Sequence, residues 1–253
     1  MAKIAVFDSG FGSLSVIKTI QKKVTADIIY FADQKNFPYG TKSIPQLRKI
    51  IESTITVLRK KFKPNLIVIG SNTPSLLLKN VLKQPKIVGV FPSIEEATVI
   101  TKSNTIAILA TKSVVESNAL KNYIKKNVQK KIRVIKINAS PLVELVESGK
   151  FIYNKKLCKI TIRRILLILF LKNGVDVAVL SSTHLPFLLS MLRKIFPSVM
   201  FLDPRNAVAD QVTKVLGKKK SKNNSLKIFT SGNVGVFQKQ LHKLGIKNKV
   251  RSL

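Results

Sequence analysis

Two serines sit in near-repeated surroundings. Ser71 follows the aliphatic run 66–69 and Gly70, and Ser182 follows the aliphatic run 177–180 and Ser181. Each is followed by polar residues, a proline and leucines: Asn72-Thr73-Pro74 in one case, Thr183-His184-Leu185-Pro186 in the other. An apolar run closing on small and hydroxylic residues reads as a buried strand that gives way to a polar turn. In a parallel α/β sheet, that end is where chemistry is exposed. Ser182 and His184 are the residue types of a hydroxyl and its base. The segment nevertheless lacks the G-x-S-x-G elbow, and Ser and His two apart do not make a triad. Ser71 has no nearby histidine, since the only other one is His242. A second echo sets Ile4-Ala5-Val6-Phe7-Asp8-Ser9 against Ile106-Ala107-Ile108-Leu109-Ala110-Thr111. Matched pairs in the same order imply two similar halves. Each half would offer one serine to a pseudo-symmetric cleft.

Two further loops carry polar groups. Asp8-Ser9-Gly10-Phe11-Gly12-Ser13-Leu14 follows the first strand but fits neither phosphate-loop spacing. An acid at its head would repel phosphate, and the structural alternative is a tight turn with Asp8 capping the next helix. Pro38-Tyr39-Gly40-Thr41 taken alone reads as a loop.

The elements that must hold these residues follow from periodicity. Strands are expected over 3–7, 27–31, 65–69, 87–90, 105–110, 132–137, 176–180, 199–202 and 226–230. Helices are expected between them, including 43–61, 113–126, 155–172 and 205–216. Alternating β and α predicts an α/β fold of mostly parallel sheets flanked by helices. The echo offsets divide it into a first domain of 1–93 plus 206–253 and a second of 94–205, with the active-site cleft between them. The Lys- and Asn-rich stretch 217–225 is expected as a surface loop.

Composition narrows the classes. A chain of 253 residues, 45% hydrophobic, can bury one large core or two smaller ones. Its longest apolar run, 165–171, lies between Arg163-Arg164 and Lys172 and falls far short of the ~20 residues that cross a bilayer. With no signal-peptide pattern at the start, a cytoplasmic protein without a membrane partner is expected. The single Cys158 excludes an internal disulfide and a Cys-rich metal site. The net charge of +33 would fit a nucleic-acid partner. Its clusters, such as Arg59-Lys60-Lys61 and Lys218-Lys219-Lys220, are scattered and not interleaved with stacking aromatics. The charge therefore reads mainly as solvated surface that would draw in small anions.

Taken together, the segments resemble the glutamate racemases of the cofactor-independent aspartate/glutamate racemase superfamily. The resemblance rests on Ile4-Ala5-Val6-Phe7-Asp8-Ser9-Gly10, then Tyr30-Phe31-Ala32-Asp33 with Phe37-Pro38-Tyr39-Gly40-Thr41-Lys42. It continues through Ser71-Asn72-Thr73, Val88-Gly89-Val90, Ile108-Leu109-Ala110-Thr111, Pro141-Leu142-Val143-Glu144 with Glu147-Ser148-Gly149, and Leu180 to Pro186. It runs in register from residue 3 to about residue 210. The resemblance implies a racemase that uses no cofactor and supplies D-glutamate to peptidoglycan synthesis. It also implies ligand contacts from Asp8, Ser9, Pro38, Tyr39, Gly40, Asn72, Thr73, Thr111, Thr183 and His184. Asp8, Glu147 and His184 would be polar assistants to two cysteines, one per domain, that flank the α-carbon.

At the positions matching those cysteines stand Ser71 and Ser182. Neighbouring departures are Pro74 for a small residue, Ser13 and Ser181 for glycine, and Leu185 for tyrosine. A thiol ionises near pKa ~8.5 and an alcohol nearer ~15.7, a gap of roughly 7 units or on the order of 10 kcal/mol. His184 acting as a base on Ser182 would recover part of this on one side only. Racemisation needs an acid/base on each face, so weakened racemisation is expected. The alternatives are an inactive protein of this fold that binds glutamate, aspartate or a related diacid, and an interaction protein using its basic surface. Oligomeric state, a homodimer included, is left open.

Overall fold

The alternating apolar and amphipathic stretches become ten strands with helices between them, in a computed structural model that describes residues 1–253. The strands are β1 (Lys3–Asp8), β2 (Asp27–Ala32), β3 (Leu66–Ile69), β4 (Ile87–Gly89), β5 (Thr105–Ala110), β6 (Arg133–Asn138), β7 (Val177–Ser181), β8 (Met200–Leu202), β9 (Ser225–Thr230) and β10 (Val250–Ser252). The chain divides into two compact units, Met1–Val90 with Arg205–Leu253, and Phe91–Pro204.

The first unit holds a six-stranded sheet in the order β10-β9-β2-β1-β3-β4, and the second a four-stranded sheet in the order β6-β5-β7-β8. Every pairing is parallel. The run β2-β1-β3-β4 and the run β6-β5-β7-β8 have the same connectivity, so the second sheet repeats the core of the first. This repeat is the physical origin of the sequence echoes: β1 corresponds to β5 and β3 to β7. The polar residues that immediately precede β3 and β7, Asn65 and Asp176, have matching tasks. Asn65 accepts the Lys3 backbone amide at 2.9 Å and thereby pins the start of β1. Asp176 accepts from Thr101 Oγ1 and from the amides of Lys102 and Ser103, which pins the chain leading into β5. The expected α/β class with helix-flanked parallel sheets is observed.

Parallel strands buried on both faces read as continuous aliphatic runs, and β3, β5 and β7 are buried at every position. On one face of the first sheet, Ala5, Phe7, Ile29, Phe31, Ile67 and Ile69 pack with Leu47, Ile51, Ile55 and Leu58. Those last four lie four, four and three residues apart on the helix Ile44–Phe62, which gives it a single apolar stripe. Its start is fixed by a capping box between Ser43 and Gln46. Arg59, Lys60 and Lys61 crowd its last turn, where cations oppose the helix dipole.

Three local expectations change. The helix expected over 113–126 is two helices, Lys112–Val115 and Asn118–Asn127. Ser117 breaks it, because its hydroxyl accepts the Leu120 amide at 3.1 Å and caps the second helix. Ser13, not Asp8, is the N-cap residue of the helix Leu14–Lys23. The strand β10 was not expected; its three residues are too few to show a period. Cys158 is a buried free thiol, and no helix is long and apolar enough to cross a membrane.

Gly70 shows how tightly the first sheet meets its loops. A Cβ at this position would lie 2.4 Å from Ser13 Cβ and 3.2 Å from the Phe7 carbonyl oxygen. Gly70→Ala is therefore expected to destabilise the chain by ~1–3 kcal/mol through overpacking, measured by denaturant unfolding. Adding Ser13→Gly should recover most of that loss. An unchanged midpoint for the single variant would show that Ser13 yields freely.

Candidate functional site

Because all strands in each sheet run the same way, their carboxyl ends lie along one edge, and the polar residues gather there unit by unit. In the first unit, β1 ends in Asp8 and Ser9, and its neighbour β3 leads through Gly70 to Ser71, Asn72 and Thr73. The Gly70 amide bonds to the Phe7 carbonyl at 2.8 Å, which ties the two ends together. Asp8 is buried, and its Oδ1 accepts the Ser9 amide at 2.7 Å. Ser71 is extended, and its hydroxyl does not cap the short helix Asn72–Leu77 that follows. Its backbone is held instead by Ser75. The Ser75 hydroxyl donates to the Ser71 carbonyl at 2.7 Å and accepts the Val90 amide at 3.0 Å, linking the ends of β3 and β4.

Asn72 is the anomaly of this half. It is 3% exposed, and neither its Nδ2 nor its Oδ1 has a hydrogen-bond partner. A buried amide with both ends unmade costs ~1–3 kcal/mol per unsatisfied group. Such a group calls for a completing partner, an ordered water or a ligand.

The loop after β2 brings in Pro38, Tyr39 and Gly40. Tyr39 is buried, and its hydroxyl donates to Asp33 Oδ2 at 3.1 Å. Burial, with the nearby charges of Asp33 and Asp8, pushes the phenol well above its ordinary value. It is a neutral donor already committed to Asp33, so this loop's remaining polar contacts are its backbone groups. Pro38 is exposed and follows a cis peptide bond, while Gly40 is half-buried. Asp33 was outside the candidate set, although it carries the loop: it accepts from Asn36 Nδ2, Tyr39 and Ser231 Oγ, and its amide bonds to the Asp8 carbonyl. The signal available was an acid placed directly after β2. Ser75 was also missed, because a serine within a helical stretch carries no distinguishing pattern.

In the second unit, Thr111 follows β5, with its hydroxyl 3.3 Å from Ser113 Oγ. Ser182, Thr183 and His184 follow β7 and are all buried. Glu147 ends the helix Ser140–Glu147, and the chain then turns at Gly149, whose φ of +75° suits glycine. This turn leaves Glu147 Oε2 2.8 Å from His184 Nε2. With side chains 7% and 13% exposed, the imidazole and carboxylate form a shielded pair. No hydrogen bond joins the His184 ring to the Ser182 hydroxyl, the contact expected of a base and its hydroxyl. The Ser182 hydroxyl accepts the backbone amide of His184 at 3.4 Å, and the ring nitrogen Nε2 turns to Glu147. Ser181 Oγ and, in the first unit, Ser13 Oγ are buried without partners. Both hydroxyls stand where the resemblance led to an expectation of glycine.

Each unit therefore presents a serine and a threonine at adjoining strand ends; the carboxylate is Asp8 at a strand end in the first unit and Glu147 at a helix end, paired with His184, in the second. No group of three or more His, Cys, Asp or Glu side chains is placed to hold a metal ion. Taken unit by unit, such strand ends can hydrogen-bond a small polar ligand, and the Glu147–His184 pair of the second unit is a group able to exchange protons. The orphaned amide yields a direct test. Asn72→Leu, of similar shape, should leave the ligand-free chain as stable as before or more stable by ~1 kcal/mol, read from thermal or denaturant unfolding. A loss of more than about 1 kcal/mol would mean that the amide is satisfied within the fold.

No family model matches the chain. It is 30% identical over 246 residues to a glutamate racemase of Herpetosiphon aurantiacus, spanning 93% of this chain and 95% of that one. It is 31% identical over 255 residues to a glutamate racemase of Clostridium kluyveri, spanning 95% and 96%. Among solved structures, Escherichia coli glutamate racemase in complex with L-glutamate and the activator UDP-MurNAc-ala superposes with a TM-score of 0.86 at 25% identity, covering 100% of this chain and 98% of that one. Picrophilus torridus aspartate racemase shares the fold at a TM-score of 0.62 and 15% identity, covering 88% of this chain and 97% of that one.

Proposed function

Since the chain belongs to the glutamate racemase family, we propose that it binds glutamate or a close acidic analogue through residues at the carboxyl ends of its strands. We place Ser71 and Ser182 at the positions of the family's two thiols. The observation that carries the binding half is Asn72, whose buried amide offers one donor end and one acceptor end with nothing in the fold to meet them. An amino-acid carboxylate and ammonium are the complementary groups. The co-crystallised L-glutamate of the Escherichia coli relative supports an acidic amino acid as the ligand class.

The chemical half follows from acidity. α-Proton abstraction requires a base on one face and an acid on the other, exchanging roles with direction. An unassisted alcohol is a far weaker acid than a thiol, and neither serine here has an imidazole as its hydrogen-bond partner. The Ser182 hydroxyl meets only the His184 backbone amide. The pair formed by Glu147 and His184 remains the best proton relay on its side, and the first unit has no imidazole counterpart. Retained binding with slow, face-asymmetric proton exchange is the resulting activity. It would act without a cofactor, and it would contribute D-glutamate to peptidoglycan in a cytoplasmic setting only to the extent that turnover survives.

Calorimetry and NMR on one sample test both halves. Titration with L-glutamate, D-glutamate and L-aspartate should give heat at millimolar concentration for at least one of them. Asn72→Leu and Thr183→Ala should weaken that binding by ~1–3 kcal/mol each. In D₂O, the α-hydrogen of bound glutamate should exchange slowly, with D-isomer forming more slowly still. Absence of heat with every acidic amino acid would remove the binding reading. Rapid exchange by the natural chain would show that another base has taken over from the thiols.

A further inference from the structure

The apolar run 165–171 is more than the core uses. It lies in the helix Lys155–Asn173, and that helix buries one face only, through Cys158, Thr161, Ile162, Leu166 and Phe170. On the opposite face Ile160 is 55% exposed, Leu167 39%, Ile168 63% and Leu171 73%. Ile160, Leu167 and Leu171 fall at i, i+7 and i+11, so they form one stripe, with Ile168 beside it. Scattered exposed leucines are ordinary, but a run of them along one helix face marks a surface that meets something.

The charges around the stripe say what that is. Six cations stand on this helix, Lys155, Lys156, Lys159, Arg163, Arg164 and Lys172, all of them exposed, and no acid accompanies them. By helical spacing Lys156, Lys159 and Arg163 border one edge of the stripe, Arg164 interrupts it, and Lys172 borders the other edge. We infer that this face docks on an anionic lipid surface, with Leu167, Ile168 and Leu171 entering the boundary of the acyl region and the cations reaching the headgroups. A helix of 19 residues lying flat presents a ridge roughly 28 Å long at 1.5 Å per residue. Long basic side chains lay their stems along the apolar stripe while keeping their charges in the headgroup layer, and an apolar face bordered by cations is the pattern of surface-lying helices.

Other occupants fit less well. A second copy of the chain would set six cations against six across the contact. Single-stranded nucleic acid would meet the charge but find aliphatic side chains where stacking needs aromatics. The expectation of no membrane partner rested on the run being too short to span. Lying on a surface requires no such length, and the inference revises that expectation.

Flotation of the full chain with phosphatidylcholine vesicles, with and without phosphatidylglycerol, tests the docking. Binding should require phosphatidylglycerol and weaken as salt rises. Leu167→Ser combined with Ile168→Ser and Leu171→Ser leaves the net charge at +33. It should lower the bound fraction at limiting lipid about tenfold, with the circular dichroism unchanged. Where the triple variant unfolds, Leu171→Ser alone should act in the same direction. Arg163→Gln with Arg164→Gln should flatten the salt dependence. Three results would overturn the inference. One is no flotation with anionic vesicles. Another is binding that the serine variants leave intact, the mark of plain attraction by a cationic chain. The third is a dimer in sedimentation that the serine variants dissolve, which would assign the stripe to a second copy.

Discussion

Parallel pairing of β1 with β3, and of β5 with β7, is the constraint on which the candidate site depends. The registers Phe7 with Ile69 and Ala110 with Ser181 place the ends of neighbouring strands side by side. A turn residue that follows one strand thus stands next to a turn residue that follows the other. Asp8 and Ser9 come beside Ser71 and Asn72, and Thr111 comes beside Ser182. A slip of one residue in either pair would turn every aliphatic side chain of that strand to the opposite face. The buried faces therefore lock the polar ends in place. Asn65 and Asp176 reinforce this from the other end of the same strands by anchoring the chain where each central strand begins.

The two units use this frame differently. The second spends its polar groups internally, with imidazole against carboxylate and a backbone amide against the Ser182 hydroxyl. The first leaves Asn72 open at both ends and ties Tyr39 to Asp33, so that loop geometry is rigid while one amide stays available. Under the proposed function, stability and binding would be traded against each other at Asn72, since the group that costs the empty fold free energy is the one a ligand would satisfy. Ser13 and Ser181 have no such explanation. Each is a buried hydroxyl without a partner, and no contact in the structure accounts for it.

Much of the fold was legible because parallel strands announce themselves as unbroken aliphatic runs, and the repeat of two runs with the same ending exposed the repeat in topology. What escaped was set by single side chains or by burial. Ser117 splits a helix through one hydrogen bond that periodicity cannot register. The strand β10 is too short to have a pattern. The Glu147–His184 pair joins residues 37 apart in sequence, so the residue types suggested a serine–histidine couple that the fold does not make. Asp33 was visible as a residue and invisible as a hub, because its importance lies in the three side chains that converge on it. The exposed ridge of the helix Lys155–Asn173 was noticed as an apolar run, but which of its leucines the core would leave outside required the packing to be seen.

The claim that links these observations is that the loss of two thiols, not the loss of the ligand shell, limits the chemistry. Its most direct test replaces both hydroxyls together, Ser71→Cys with Ser182→Cys, and follows the α-hydrogen of L-glutamate in D₂O by NMR alongside the appearance of the D-isomer. If Asp8, Asn72, Thr73, Glu147 and His184 are in place to orient the ligand, the double variant should racemise glutamate several orders of magnitude faster than the natural chain. Each single variant should gain much less, because both directions need an acid and a base. A double variant that is folded, still binds glutamate and is no faster than the natural chain would contradict the claim.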